Sequence, residues 1–97
     1  MNQDKDIIRT VWIVKCMHSQ YDDDFTTWDV YATASKEQAL KIVDELEKLI
    51  SQIKVRPTYN IISGEYRNPI VQSIHKIDPN YQWGAYYEVQ ELAVRYA

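Results

Sequence analysis

The chain has 97 residues, of which 45% are hydrophobic and 26% are charged, and its formal net charge is −3 at pH 7. This length fits one folded domain with a modest core, and the composition is that of a globular chain rather than a disordered one. The mild negative charge and the lack of any basic run argue against direct nucleic-acid binding.

Two further features bear on where the protein works. A single cysteine, Cys16, cannot close an internal disulfide, so nothing indicates an oxidising compartment. The polar start, MNQDKD, lacks a signal-peptide pattern, and no apolar run approaches the roughly 20 residues that span a bilayer. We therefore expect a cytoplasmic protein without a membrane partner, in which residues 1–6 are flexible.

Two strands are predicted near the start of the chain. Residues 7–17 (IIRTVWIVKCM) are rich in β-branched side chains, and alternation puts Trp12 and Val14 on one face. Residues 26–34 (TTWDVYATA) alternate more clearly, with Trp28 on the corresponding side. Because a short polar segment joins them, the two strands are expected to form an antiparallel hairpin.

A long amphipathic helix follows, over SKEQALKIVDELEKLISQIKV. Ser35 and Gln38 have the spacing of a capping box, and the arginine-proline step at residues 56–57 is expected to end the helix. Apolar residues recur at steps of three and four and form one continuous stripe: Ala39, Ile42, Val43, Leu46, Leu49, Ile50 and Ile53.

A second, shorter helix is predicted in NPIVQSIHKIDP, where Asn68 can cap the helix and Pro69 suits its first turn. Residues 58–67 are typical of a short strand or an ordered loop with a turn at Gly64, and residues 86–96 indicate a last strand.

This order of elements predicts a single α+β domain over residues 1–97. Its antiparallel sheet has three strands, or four if residues 58–67 add one, in the order 2-1-3, with the long helix across one face and a second short helix. Val11, Ile13 and Tyr31 are expected on the opposite sheet face. Either the short helix covers this patch, or the patch serves self-association, because monomers rarely leave large apolar patches open.

The run Asp22, Asp23 and Asp24 raises the question of a metal site. Its spacing does not fit a calcium-binding loop, which alternates its ligands and needs a glycine and a distal glutamate. A solvated turn between the first two strands is the simpler interpretation, and a partner contact there stays open.

Other catalytic patterns are weak. Cys16, His18 and His75 are too few and too scattered for a zinc site, and Cys16 falls on the predicted core face, where thiols are inert. With two isolated glycines the chain has no phosphate-cradling loop. We therefore predict that the protein is not an enzyme and needs no cofactor.

The best binding candidate is aromatic. Tyrosine and tryptophan give large contact areas at low entropic cost, and they concentrate in YQWGAYY and just before the short helix. The residues predicted to contact a partner are Tyr21, Asp22, Asp23, Asp24, Tyr66, Arg67, Tyr81, Trp83, Tyr86 and Tyr87.

A resemblance to a known group of proteins rests on two stretches of the chain, VWIVKCMHSQYDDDFTTWDVYATASKEQALKIVDELEK and YYEVQELAV. They resemble a loose pattern of small phage- or prophage-encoded accessory proteins. That pattern has a hydrophobic strand, an acidic turn, a second strand, a helix that begins at a serine, and a final strand reading aromatic-x-V-x-E. The pattern covers about two-thirds of the chain, contains no catalytic motif and omits residues 57–80. The resemblance implies a bacterial host cell, and some such proteins inhibit host defence systems by direct binding.

These observations predict a protein–protein interaction module, an accessory protein that binds and inhibits a host protein complex. Two alternatives remain: a homodimeric structural module that uses the outer sheet face, and a protein that sequesters a small ligand or nucleotide in an aromatic pocket.

Overall fold

The computed structural model describes residues 8–21 and 24–95. Its elements follow in the order β1 (Ile8–Tyr21), β2 (Asp24–Thr33), α1 (Lys36–Ser51), β3 (Tyr59–Asn60), β4 (Glu65–Tyr66), α2 (Pro69–His75) and β5 (Tyr86–Arg95). The fold is α+β, as predicted. Neither helix of the described chain is both long enough and apolar enough to cross a membrane.

The main sheet is antiparallel, with the strand order β2-β1-β5 that the sequence predicted as 2-1-3. It has three strands and not four, because β3 and β4 pair only with each other. β1 and β2 are longer at the hairpin end than expected, since Tyr21 pairs with Asp24 and only two residues connect them. An ion pair of 2.8 Å between Lys15 and Asp29 links these strands further along.

Helix α1 begins as predicted and ends early. The side chain of Ser35 accepts a hydrogen bond from the backbone N–H of Gln38 at 3.2 Å, which caps the first turn. The prediction that the helix runs to the arginine-proline step is wrong, because the backbone hydrogen bonds after Ser51 span three residues instead of four. Gln52 and Ile53 donate to carbonyls three residues back, and the Lys54 ammonium donates to the Ser51 carbonyl at 3.0 Å.

Both helices pack on one side of the sheet. Val14 and Cys16 of β1, Leu46 of α1, and Val71 and Ile74 of α2 are fully buried in a single core. Helix α2 packs beside α1 and is capped by the Asn68 side chain, as predicted.

The opposite sheet face is not covered by either helix. Val11 and Ile13 lie on it, as predicted, and are partly exposed, while Leu92 and Val94 stand on the neighbouring strand β5. Of the two sequence alternatives for this patch, the structure therefore excludes coverage by the short helix.

Tyr31 is not part of that patch, and its predicted position is wrong. The pairing between β1 and β2 shifts so that Val14 lies opposite Tyr31 and Lys15 lies opposite Asp29, which leaves Val30 as an extra residue. This β-bulge reverses the alternation beyond it, since paired residues share a face and Val14 faces the core.

Candidate functional site

A buried carboxylate joins the sheet to the segment after α2. Asp78 is almost fully buried and accepts hydrogen bonds from the Trp28 indole Nε1–H at 3.0 Å to each oxygen, from the Tyr87 hydroxyl at 2.7 Å and from the Asn80 backbone N–H at 3.1 Å. A buried charge is costly unless it is paired or well hydrogen-bonded, and these donors supply that compensation. The cluster fixes the position of residues 78–82.

The groups around this carboxylate are held protonated. Burial raises the pKa of the Cys16 thiol to about 12, and the nearby Asp78 carboxylate acts in the same direction while hydrogen bonding to Tyr87 opposes it. Burial likewise raises the pKa of Tyr81 to about 12, and burial together with the hydrogen bond to Asp78 raises that of Tyr87. Cys16 therefore lacks the exposed, low-pKa thiolate of a reactive cysteine.

Above this cluster lies a cleft of about 700 Å³. One wall is the start of β2, from Thr26 to Trp28. The other wall comes from the β3–β4 hairpin, through Tyr59 and Tyr66, and residues 79–82 contribute to the lining as well. This volume is in the usual range of small-molecule sites.

The hairpin wall continues into the core as a series of rings. Tyr59 and Tyr66 lie 5.0 Å apart between ring centroids, Tyr66 and His75 6.1 Å, and His75 and Tyr81 6.3 Å. Tyr81 then stacks on Tyr87 at 6.2 Å. Edge-to-face and offset contacts of this kind add about 0.5–1.5 kcal/mol each beyond burial. The wall is therefore anchored to the core and not carried on a free loop.

The described lining of the cleft includes a cationic side chain and no acidic one. That cation is Arg56, which is exposed. His75 Nε2 lies 3.0 Å from the Tyr81 carbonyl oxygen, which can only accept, so Nε2 carries the proton in the neutral ring. This leaves Nδ1 of His75 as an acceptor.

The β3–β4 hairpin also has an exposed end. Asn60 accepts hydrogen bonds from the backbone N–H groups of Ile62 and Ser63, and Gly64 closes the turn with φ of 70°. The Ile61 and Ile62 side chains in this turn are 87% and 98% exposed. We call residues 60–64 the hairpin tip.

The aromatic residues predicted to form one binding surface are divided by the fold. Tyr81 and Tyr87 are 2% and 5% exposed, so the prediction that they face a partner is wrong: each fills the core. Tyr86 is exposed, because consecutive strand residues point to opposite faces. Trp83 is half-buried, and its backbone N–H donates to the Tyr66 hydroxyl at 3.3 Å.

Two more of the predicted contact residues lie at the β3–β4 hairpin. Arg67 is exposed beside the hairpin, and Tyr66 lines the cleft. Asp22 and Asp23 lie outside the described residues, as do the side chains of Tyr21 and Asp24. The role of the acidic turn therefore stays a prediction.

The sequence did not mark Arg56 and Trp28 as residues of a cleft, nor the hairpin tip as an exposed apolar surface. One signal was present: two adjacent isoleucines stand between the turn residues Asn60 and Gly64. A turn has no buried face, so apolar side chains in it are exposed unless another element covers them. By contrast, the cleft joins residues from distant parts of the sequence, and no local pattern marks it.

Comparison of the chain with protein-family models, with curated proteins and with solved structures found no match in any of the three. Within the described parts of the chain, no group of three or more His, Cys, Asp or Glu side chains is placed to hold a metal ion.

Proposed function

We propose that this chain is a non-enzymatic protein–protein interaction module whose principal contact surface is the hairpin tip. The observation that carries the proposal is the almost complete exposure of Ile61 and Ile62, side by side, at the end of an ordered hairpin. Burying one such side chain in a partner contributes about 1.5–3 kcal/mol.

The tip is ordered before any partner arrives. Asn60 holds two backbone N–H groups of the turn, and the ring pair of Tyr59 and Tyr66 braces the hairpin behind it. Preorganisation lowers the entropy lost on binding, so more of the apolar contact energy contributes to affinity. Since the two isoleucines contribute little to the chain's own core, their apolar character is better explained by a partner.

The charges around the tip indicate the chemistry of that partner. Between residues 54 and 67 the chain carries three cations, Lys54, Arg56 and Arg67, and one acidic residue, Glu65. This is a local excess of positive charge in a chain whose net charge is −3. A complementary partner would offer an apolar pocket with an acidic rim.

A narrower version of the proposal is that the protein is a phage-encoded accessory protein and that its partner is a host defence complex. This version is supported by the sequence pattern of the strands and α1, which omits the hairpin altogether. The two parts therefore stand separately: the hairpin supports binding, and the sequence pattern supports the biological setting.

Site-specific photo-crosslinking in bacterial cells tests the proposal. A photoreactive phenylalanine analogue at Ile62 is expected to give one discrete adduct, whereas the same analogue at Lys41, on the exposed side of α1, is expected to give none. Equal adducts from both positions, or none from Ile62, would count against the hairpin tip. Tyr87→Ala is unsuitable as a binding variant, because Tyr87 is a core residue.

A second candidate function is self-association through the outer sheet face, favoured by the absence of either helix from that face. Its apolar centre, formed by Val11, Ile13 and Leu92, lies between charged ends. Arg9 stands at one end, and Glu88 stands at the other, opposite Lys15, whose ammonium pairs with Asp29 at 2.8 Å. Antiparallel packing of two copies places Arg9 of one near Glu88 of the other, so the face is complementary to itself.

A further inference from the structure

From the cleft between β2 and the β3–β4 hairpin we infer a binding site for a small planar anion, meaning an aromatic ring that carries one phosphate or carboxylate group. The site adjoins the hairpin tip at Gly64, which also lines the cleft, but it uses different side chains. The cleft is lined by Tyr59 and Tyr66, whereas the tip presents Ile61 and Ile62 to solvent. The inference therefore does not depend on the proposed protein partner.

The aromatic lining supplies the recognition of a ring. Trp28 lies on one wall, and Tyr59 and Tyr66 lie on the hairpin wall. The Trp28 indole is fixed by its bond to Asp78, and Tyr66 is fixed by its hydroxyl, which accepts the Trp83 backbone N–H. Aromatic faces held in place before binding suit a flat ligand, because stacking then costs little side-chain entropy.

The charge of the lining selects an anion. Arg56 is the cation among the described lining residues, no acidic side chain lines the cleft, and the guanidinium matches phosphate and carboxylate geometry. The carboxylate of Asp78 is buried, is not part of the lining, and already accepts hydrogen bonds from Trp28, Tyr87 and Asn80. An anion beside Arg56 therefore meets no carboxylate among the described residues that line the cleft.

Polar groups at the edge of the cleft suit a heterocyclic or hydroxylated ring. Thr26 and Asn80 line the cleft with side chains that can donate and accept, and His75 with its proton on Nε2 keeps Nδ1 as an acceptor. A cleft of about 700 Å³ accommodates a ligand of mononucleotide size.

The test is an amide chemical-shift titration of the full chain with four probes: adenosine monophosphate, adenosine, inorganic phosphate and 4-hydroxybenzoate. Saturable shifts of the Thr26–Trp28, Gly64 and Asn80 amides are expected with the monophosphate, the benzoate or both. Whichever of these two binds more tightly identifies the anion as phosphate or carboxylate. Adenosine and free phosphate are each expected to bind at least tenfold more weakly, since adenosine lacks the anionic group and free phosphate lacks the ring.

Matched variants test the assigned residues. Arg56→Gln is expected to weaken binding about tenfold or more, whereas Arg67→Gln, an exposed cation outside the lining, is expected to leave it unchanged. Tyr59→Ala is expected to weaken binding, and Tyr86→Ala is its control because the two tyrosines are 51% and 52% exposed.

Three results would overturn the inference. The first is an absence of cleft shifts with every probe up to about 10 mM, a concentration that detects even millimolar affinity. The second is adenosine binding as tightly as the monophosphate when 4-hydroxybenzoate does not bind. The third is equal weakening by Arg56→Gln and Arg67→Gln. None of these bears on the hairpin tip, whose isoleucines are not changed.

Discussion

Trp28 and Asp78, fifty residues apart in the chain, are joined by the Trp28 indole N–H, which lies 3.0 Å from both carboxylate oxygens. This contact ties strand β2 to the segment that follows α2. It also fixes part of the cleft lining, because Trp28 and the residues just after Asp78 both line it.

Trp28→Phe should destabilise the protein by about 1–3 kcal/mol, because it removes an N–H donor from a buried carboxylate while retaining an aromatic ring. The measurement is the free energy of unfolding in urea. Trp12→Phe is the control, since Trp12 is also half-buried but its ring contacts the Lys36 ammonium at 5.1 Å. Equal losses in both variants would mean that ring size, and not the bond to Asp78, determines the effect.

The stacked pair Tyr81 and Tyr87 allows a sharper comparison. Tyr87→Phe removes the donor at 2.7 Å from Asp78 and is expected to cost about 1–3 kcal/mol. The Tyr81 hydroxyl is buried without a hydrogen-bond partner among the described residues, so Tyr81→Phe should be neutral or slightly stabilising. Urea unfolding of both variants checks this difference, and a larger loss for Tyr81→Phe would contradict it.

The free energy of unfolding is expected to fall as the pH becomes alkaline. Cys16 has a pKa of about 12 when folded against an ordinary 9.0, so between these values the folded chain holds a proton that the unfolded chain has released. Its stabilising effect is complete below about pH 9 and is lost as the pH rises toward 12, with a slope of at most about 1.4 kcal/mol per pH unit for one group. Tyr81 and Tyr87 act in the same direction.

The measurement is the free energy of unfolding at about pH 8 and about pH 10.5 for the wild type and for Cys16→Ala. Stability should decline in both, and less steeply in the variant, which has one fewer titrating group. A wild-type stability that is constant or rises over this interval would contradict the assignment.

Self-association through the outer sheet face predicts a concentration-dependent mass. Leu92→Lys, which puts a charge on this face, is expected to shift the protein to monomer in sedimentation equilibrium. Glu91→Lys is the matched control on the same strand, because Glu91 pairs with Trp12, faces the other side of the sheet and is exposed. A wild-type chain that is monomeric at about millimolar concentration would remove this second candidate function.

The elements that sequence predicted best are those with local signals. The caps at Ser35 and Asn68 are hydrogen bonds between residues close together in the sequence, and both form. The strand order follows from connecting short segments in the simplest way. The end of α1 was misplaced because a tightened last turn depends on backbone geometry that the apolar stripe does not encode.

Features that depend on long-range pairing were not predictable in the same way. The bulge at Val30 reversed the face of Tyr31, and no residue in that strand signals an extra position. Tyr86 and Tyr87 look equivalent in sequence, yet one is exposed and the other donates to a carboxylate nine residues earlier. Such assignments require the register of the sheet and the position of the partner residue.

The central claim, that the hairpin tip binds a protein partner, is tested most directly by affinity. The partner is identified from the Ile62 crosslink and purified, and its dissociation constant is measured by calorimetry for the wild type, for the double variant Ile61→Lys and Ile62→Lys, and for Lys41→Glu. Because both isoleucines are exposed, the double variant should unfold within about 1 kcal/mol of the wild type. We expect it to lose at least tenfold in affinity while Lys41→Glu retains it. A double variant that binds as tightly as the wild type would contradict the claim.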